Sequence, residues 1–191
     1  MAKKVYFAFD YEDVSDFRAN VVRNHNFTEG VEKAGYFDAS VWEEAKKKEP
    51  SALKKLIDNA LENTSVTVVL IGTGTYVRRW VQYEIVKSLR RGNRVVGIHI
   101  NNIAGKDSKT KPLGKNPFEY IGLYISPDGQ NGSPVVWDGQ KWAYMTDVER
   151  YSFKTPFTSN LGKVLQLTQW ARTYDWITND GYNNFYNWIG A

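Results

Sequence analysis

The chain has 191 residues, a length typical of one large domain, and its hydrophobic content of 42% and charged content of 24% are those of a soluble globular protein. It has no cysteine and only two histidines, so disulfides, thiolate nucleophiles and metal sites built on cysteine or histidine are poorly supported. The net charge of +4 suits a phosphate-bearing ligand, whereas the basic residues fall on predicted helix faces and ends, which argues against nucleic acid as a partner.

The first predicted element is a buried strand over residues 5–9, VYFAF. Its apolar run ends at Asp10, which is too short for a signal peptide, and no window of the sequence approaches the length of a membrane span. We therefore expect a cytoplasmic protein with no membrane partner. Asp13 is a candidate cap for a following helix whose apolar face is formed by Val14, Phe17, Val21 and Val22.

Strand and helix patterns then alternate as far as residue 100. The predicted elements are strand 35–38, a helix from Pro50, strand 66–71, helix Tyr76 to Arg91 and strand 95–100. Gly92 is a stop signal for the second of these helices. The alternation predicts an α/β fold with a parallel sheet and helices on both faces.

The pattern changes after residue 101, where a polar loop precedes a predicted strand in the segment FEYIGLYI. Asp138-Gly139 predicts a tight hairpin turn, residues 161–177 are ambiguous between helix and strand, and GYNNFYNWI predicts a final helix. We expect one domain over residues 1–191, in which the aromatic-rich segment 101–191 completes the sheet of residues 1–100 with a loop, a hairpin and a C-terminal helix.

The strongest chemical signal is the pair Trp80 and Glu84, four residues apart on the predicted helix Tyr76 to Arg91 and hence on one face. The helix begins just beyond the carboxyl end of a strand, where open α/β sheets bind ligands. Val81, Ile85 and Leu89 mark the apolar stripe, so we expect Glu84 at its edge. A carboxylate beside an aromatic plate can stabilise a cation and hold a ring.

Two other strand ends carry candidate ligand-binding residues, and both have plain structural alternatives. Asp10, between Phe9 and Tyr11, follows the first strand and is a candidate either for a ribose or metal contact or for a turn. After the second strand, Asp38, Ser40 and Trp42 either bind and stack on a ligand or belong to a turn and the core.

The loop Gly72-Thr73-Gly74-Thr75 has the composition of a phosphate cradle but matches neither the P-loop nor the G-x-G-x-x-G pattern. A flexible connection is the favoured interpretation.

A reaction that needs one carboxylate, aromatic plates and no metal is cleavage of a nicotinamide–ribose bond. Nicotinamide leaves NAD as a neutral base, so no general acid is required. A nearby carboxylate stabilises the oxocarbenium-like centre that remains. The candidate aromatic residues for stacking on the dinucleotide and for excluding water are Phe9, Tyr11, Trp42, Trp80 and Tyr83.

The segments VYFAFDYEDVSDFR, FDASVWEEAKK, LIGTGTYVRRWVQYEIVKSLRRGNRVVGIHI, NPFEYIG and YDWITNDGYNNFYNWI together resemble the TIR-like proteins of bacterial Thoeris antiphage systems. The resemblance covers nearly the whole chain and is most specific over residues 70–100. It implies a flavodoxin-like TIR fold and an enzyme that converts NAD, as substrate and without a further cofactor, into a cyclic ADP-ribose-type signal. That signal activates a separate Thoeris effector.

The resemblance also implies residue roles. Trp80-Val81-Gln82-Tyr83-Glu84 matches the Trp-x-x-x-Glu context of the TIR catalytic glutamate, which assigns that role to Glu84. Phe9 to Tyr11 and Asp38 to Trp42 match the walls of the TIR nucleotide pocket, and Asp10 is the softest of these matches. Self-association is implied as well, because TIR enzymes generally build one site from two protomers.

Two other readings remain beside the NAD-consuming enzyme: a non-catalytic TIR-like interaction module and a flavodoxin-like nucleotide-binding regulator. Fold alone does not choose among them. Glu84 in its tryptophan context favours the enzyme over the module, and the absence of a phosphate-binding motif counts against the regulator.

Overall fold

The protein is described by a computed structural model over residues 4–25, 33–34 and 50–190. Its centre is a five-stranded sheet in the order β10-β4-β3-β1-β2, in which every neighbouring pair is parallel. The strands are β1 (Val5–Phe9), β2 (Lys33–Ala34), β3 (Val66–Ile71), β4 (Arg94–His99) and β10 (Arg172–Asp175). The predicted parallel α/β fold is confirmed.

Helices cover both faces of this sheet, since side chains alternate along each strand. The helices are α1 (Glu12–Ser15), α2 (Arg18–Asn24), α3 (Pro50–Ala60), α4 (Arg79–Arg90) and α5 (Gly181–Ile189). On one face, Tyr6 and Ala8 of β1 pack in a cluster with residues of α3 and α4. On the other, Val5 and Phe7 pack with residues of α2 and α5.

Strand β3, VTVVLI, is buried along its whole length, as its continuous apolar run predicts. It lies between β1 and β4, with Phe9 opposite Leu70 and His99 opposite Ile71. The carboxyl ends of these strands therefore meet at one edge, from which α1 and α4 depart.

A second, antiparallel sheet lies in the C-terminal half, in the order β7-β6-β5-β9, with β8 paired to β6. Its strands are β5 (Ile121–Ile125), β6 (Asn131–Trp137), β7 (Trp142–Tyr144), β8 (Tyr151–Ser152) and β9 (Val164–Gln166). The predicted hairpin is confirmed: Trp137 pairs with Trp142, and Gly139 in the connecting turn has φ of +104°. Short 3₁₀ turns occur at Thr75–Val77, Pro117–Glu119 and Leu167–Gln169.

Several predicted boundaries differ from the structure. The helix predicted from Asp13 is two helices, because Phe17 adopts a left-handed backbone conformation and is 49% exposed. The helix predicted to start at Tyr76 starts at Arg79, after an extended Arg78. The predicted strand 35–38 lies outside the described residues.

The ambiguous segment 161–177 contains β9, a 3₁₀ turn and β10, and the final segment forms α5 as predicted. Phe185, Trp188 and Ile189 of that helix are buried, whereas Tyr182 is exposed. Within the described part of the chain, no helix is both long and apolar enough to cross a lipid bilayer.

Candidate active site

Glu84 lies on α4 one turn after Trp80, but it is inside the core. Its side chain is 5% exposed, and its Oε1 accepts a hydrogen bond of 2.5 Å from the hydroxyl of Tyr6 on β1. Val81 and Ile85 on the same helix are buried as predicted. The expectation that Glu84 sits at the edge of the apolar stripe is therefore wrong, because a donor on the sheet allows the carboxylate to be buried.

Burial governs the charge of this carboxylate. Removal from water raises the pKa of Glu84 to about 8, and the hydrogen bond from Tyr6 partly opposes that rise. Burial, and then the negative charge of Glu84, raise the pKa of the Tyr6 hydroxyl well above its usual value. The shared proton therefore stays on Tyr6 when the carboxylate is ionised.

A cavity of about 190 Å³ opens at the carboxyl end of β1, next to the start of α4. It is lined by Phe9, Asp10, Tyr11, Arg78, Arg79, Trp80 and Val81. Four residues singled out from the sequence, Phe9, Asp10, Tyr11 and Trp80, thus come together. The Glu84 carboxylate does not line this cavity; it lies one turn further along the helix whose first residues form the wall.

Two arginines line the cavity, and both are paired with carboxylates. The guanidinium of Arg78 contacts the Asp10 carboxylate at 2.5 Å and the Glu12 carboxylate at 3.1 Å. The hydrogen bond to Asp10 raises the pKa of Arg78 further. Asp10 also accepts the backbone N–H of Glu12 at 3.4 Å, so it combines the turn role with a contact inside the site.

The second arginine, Arg79, contacts residues both inside and outside this cavity. The Arg79 guanidinium lies 5.9 Å from the ring centre of Trp80 and 5.8 Å from that of Tyr83, and it pairs with Asp147. The Trp80 and Tyr83 rings meet edge to face at 5.9 Å. Arg79 and Trp80, which line the cavity, thus contact Asp147 and Tyr83, which do not.

Tyr83 lines a separate cavity of about 560 Å³ between α3, α4 and the segment around Asp147. Its hydroxyl lies 3.5 Å from the Asp58 carboxylate. Burial and the charge of Asp58 raise the pKa of Tyr83 to about 12. The structure therefore separates Tyr83 from the cavity that contains Trp80 and Asp10.

The glycine loop after β3 is packed rather than open. The Gly72 amide donates to the Thr75 hydroxyl at 2.9 Å, and a Cβ on Gly72 would lie 2.0 Å from Oδ2 of Asp13. Asp13 lies inside α1, not at its cap, and burial raises its pKa to about 6. These contacts leave the Gly72 amide unavailable to a phosphate. They favour the interpretation of the loop as a connection between β3 and α4.

The remaining predicted site residues, Asp38, Ser40 and Trp42, lie outside the described residues. Within residues 4–25, 33–34 and 50–190, no cluster of three or more His, Asp or Glu side chains could hold a metal ion.

Sequence reasoning missed Tyr6, Arg78 and Arg79 as site residues. Tyr6 reads as one more aromatic residue of a buried strand, and its partner is 78 residues away. The arginine pair directly precedes Trp80, and its position at the start of a helix beyond a strand end was an available signal.

Two comparisons with known proteins bear on this site. The family model described as Thoeris protein ThsB, TIR-like domain, matches residues 6–104. A protein of Bacillus cereus (strain MSX-D12) named "Putative cyclic ADP-D-ribose synthase ThsB1" is 49% identical over 191 residues, which cover 99% of this chain and 100% of that protein. The similarity thus extends over both sheets.

Proposed function

Because the chain belongs to the Thoeris ThsB family of TIR-like proteins, we propose that it is an antiphage-defence enzyme that cleaves NAD and makes a cyclic ADP-ribose-type signal. The observation that carries this proposal is the 49% identity, over the full length of both chains, to a protein named as a cyclic ADP-D-ribose synthase. The buried carboxylate of Glu84 beside a cavity with aromatic and cationic walls supports it.

The proposed reaction breaks the bond between the nicotinamide nitrogen and the ribose. The bonding electron pair leaves with nicotinamide, and positive charge develops on the ribosyl centre. A nucleophilic atom of the same dinucleotide then bonds to that centre, and this bond closes the ring. The nucleophile gives up one proton in the same process. We assign to the ionised Glu84 the stabilisation of the positive centre, an electrostatic role of the kind that carboxylates have in glycosidases.

The cavity residues are assigned to binding. Arg78 and Arg79 supply positive charge for the two phosphates of NAD, and Asp10 orients Arg78 at 2.5 Å. Phe9, Tyr11 and Trp80 supply aromatic surface for the rings. Glu84 does not line this cavity and lies one turn beyond Trp80 on α4, so contact between a ribose bound there and its carboxylate would require movement of side chains at the start of α4.

The role of the other predicted residues follows from the family resemblance. Asp38, Ser40 and Trp42 would complete the nucleotide pocket from the segment after β2, whereas Tyr83, which lines the separate cavity, would support the Trp80 ring through their edge-to-face contact. The enzyme would work in the cytoplasm, where NAD is present, associate with copies of itself, and act on a Thoeris effector only through the nucleotide signal.

The test is incubation with NAD followed by mass analysis of the products. Free nicotinamide together with a product one water lighter than ADP-ribose is the expected result. Because a phage trigger is expected to control the reaction, the assay includes lysate from infected cells expressing the protein. Linear ADP-ribose alone at early times would identify a hydrolase. Nicotinamide and cyclic product no higher than in infected cells that lack the protein would identify a non-catalytic module.

The matching variant is Glu84→Gln, which keeps the size of the side chain and removes its charge. Turnover should fall by a factor of about 10² to 10³, as when one electrostatic partner of a transition state is removed. The control is Glu119→Gln, an exposed carboxylate outside the cavity. Wild-type turnover in folded Glu84→Gln would contradict the assignment.

A further inference from the structure

The hydroxyl of Tyr6 is the only side-chain hydrogen-bond partner of the Glu84 carboxylate within the described residues. Tyr6 is fully buried, and the two oxygens are 2.5 Å apart. The pairing follows from the strand alternation of β1: Val5 and Phe7 face α2 and α5, which turns Tyr6 toward α4.

The strands and helices that pack near Glu84 provide few other charged groups, so the Tyr6 hydroxyl is the main group that stabilises the ionised carboxylate. Strand β3, VTVVLI, has no titratable side chain, and those of β4, Arg94 and His99, lie at its two ends. From α3, Asp58 acts on the Tyr6 hydroxyl through its negative charge and pairs with Lys87 of α4 at 3.2 Å. The buried hydroxyl of Ser88 on α4 donates to the backbone oxygen of Glu84 and not to its carboxylate.

We propose that Tyr6 is a positioning residue for the active site: its buried hydroxyl holds the Glu84 carboxylate in one orientation and keeps it available as an anion. The inference rests on the proposed function, in which the ionised Glu84 stabilises the ribosyl centre. A phenylalanine would fill the same space in the core but would leave the carboxylate without a donor, so the hydroxyl serves the carboxylate and not the packing.

The direction of the effect follows from electrostatics. Burial raises the pKa of Glu84 to about 8, while the hydrogen bond from Tyr6 lowers it. Without the hydroxyl, the pKa of Glu84 rises further, and a larger fraction of the enzyme carries a neutral, inactive Glu84 near neutral pH. Tyr6 therefore sets the lower pH at which the enzyme becomes active.

The primary test compares pH profiles of kcat/KM for wild type and Tyr6→Phe. We expect the acid limb to move up by about one pH unit, which lowers the rate at pH 7 about tenfold, with recovery toward wild type well above pH 9. The matched control is Tyr174→Phe, which removes a hydroxyl from a ring stacked on Trp188 in the other core cluster. Its profile should be unchanged.

A second variant keeps the test independent of folding. Replacing Tyr6 alone by 3-fluorotyrosine retains the hydroxyl but makes it a stronger donor, so the acid limb should move to lower pH. Carbon-13 NMR of the labelled Glu84 carboxyl should report the same two shifts directly. A rate loss that is uniform across pH, or an unchanged Glu84 titration in both variants, would overturn the proposal.

Failure of the proposed function has a different signature. If Glu84→Gln keeps wild-type turnover, Glu84 is not catalytic and the positioning role of Tyr6 falls with it. If Glu84→Gln is inactive but both Tyr6 variants retain the wild-type pH profile, only the Tyr6 proposal is overturned.

Discussion

At the scale of single residues, the burial of Glu84 links activity to stability. A carboxylate this deep in the core opposes folding when it is ionised, because water solvates the charge better than the protein does. The proposed chemistry nevertheless requires the ionised form. The hydroxyl of Tyr6 lessens this conflict by donating to the carboxylate.

The first prediction concerns the pH dependence of stability. The pKa of Glu84 is about 8 in the folded protein and has its ordinary value near 4.5 in the unfolded chain. Between these values the folded state binds more protons, so this contribution to stability is complete below pH 4.5 and is lost as the pH rises to 8. Glu84→Gln has no titrating group at this position. Its free energy of unfolding should therefore exceed that of wild type by an amount that grows with pH, to the order of a few kcal/mol.

Thermal unfolding of wild type and Glu84→Gln at pH 5, 7 and 9 measures this difference. The two melting temperatures should be close at pH 5, and the variant should melt higher at pH 9. Asp13, whose pKa is raised to about 6, titrates in both proteins and cancels in the comparison. A constant difference across pH would show that the Glu84 carboxylate is not desolvated as described.

The second prediction concerns Arg78. If its guanidinium binds an NAD phosphate, Arg78→Gln should raise KM for NAD about tenfold, equivalent to about 1.4 kcal/mol, with a smaller change in kcat. Steady-state kinetics separate the two constants. Arg172→Gln on the exposed side of β10 is the charge-matched control, and equal KM values for the two variants would remove Arg78 from the binding site.

At the scale of secondary-structure elements, α4 joins binding to the proposed catalysis. Its first residues, Arg79 and Trp80, line the cavity, and its next turn carries Glu84 into the core. The helix packs against β1, β3 and β4, which fixes its rotation. A change at Trp80 should therefore affect both the cavity wall and the packing of the helix.

The third prediction is that Trp80→Ala lowers both the stability of the protein and its NAD-cleaving activity. The indole is half-buried and packs on the core cluster, so its loss should cost about 2 kcal/mol, less than for a fully buried tryptophan. NAD cleavage should fall as the aromatic wall is lost. Trp137→Ala, at a half-buried tryptophan of β6, should lower stability but keep activity, and normal melting together with normal turnover in Trp80→Ala would contradict the prediction.

At the scale of the whole molecule, the C-terminal half is built into the parallel sheet. Strand β10 pairs with β4 over four residues, and Trp176, Phe185 and Trp188 share a core cluster with Val5 and Phe7 of β1. The family match ends at residue 104, but the core does not. We therefore predict that residues 1–191 unfold as one cooperative unit.

Two measurements check this fourth prediction. Urea unfolding followed by fluorescence and by circular dichroism should give coincident single transitions. A fragment of residues 1–104 should be largely unfolded or aggregated, because it exposes one face of the sheet. A soluble fragment with dispersed NMR signals would show that the N-terminal half is an independent domain.

Local patterns in the sequence were sufficient to predict strands β1, β3 and β4 and the presence of helices α3 and α4. The apolar run of β3 and the stop of α4 before Gly92, with φ of +84°, depend on residues a few positions apart. The break at Phe17 could not be predicted in this way. The apolar residues on both sides of Phe17 have helical spacing, and this spacing does not indicate a left-handed residue between them. The Trp80–Glu84 spacing was readable, since it depends only on the helical period.

Only the tertiary structure decided what these residues contact. Tyr6 meets Glu84 across 78 positions and Arg78 meets Asp10 across 68, and β10 joins β4 rather than the second sheet. Such contacts depend on strand order and on the face that each helix turns to the sheet, which no local period contains. The sequence by itself determined that a glutamate follows a tryptophan on a helix at a strand end, and the packing of β1 against α4 decided that this glutamate is buried and hydrogen-bonded to a tyrosine.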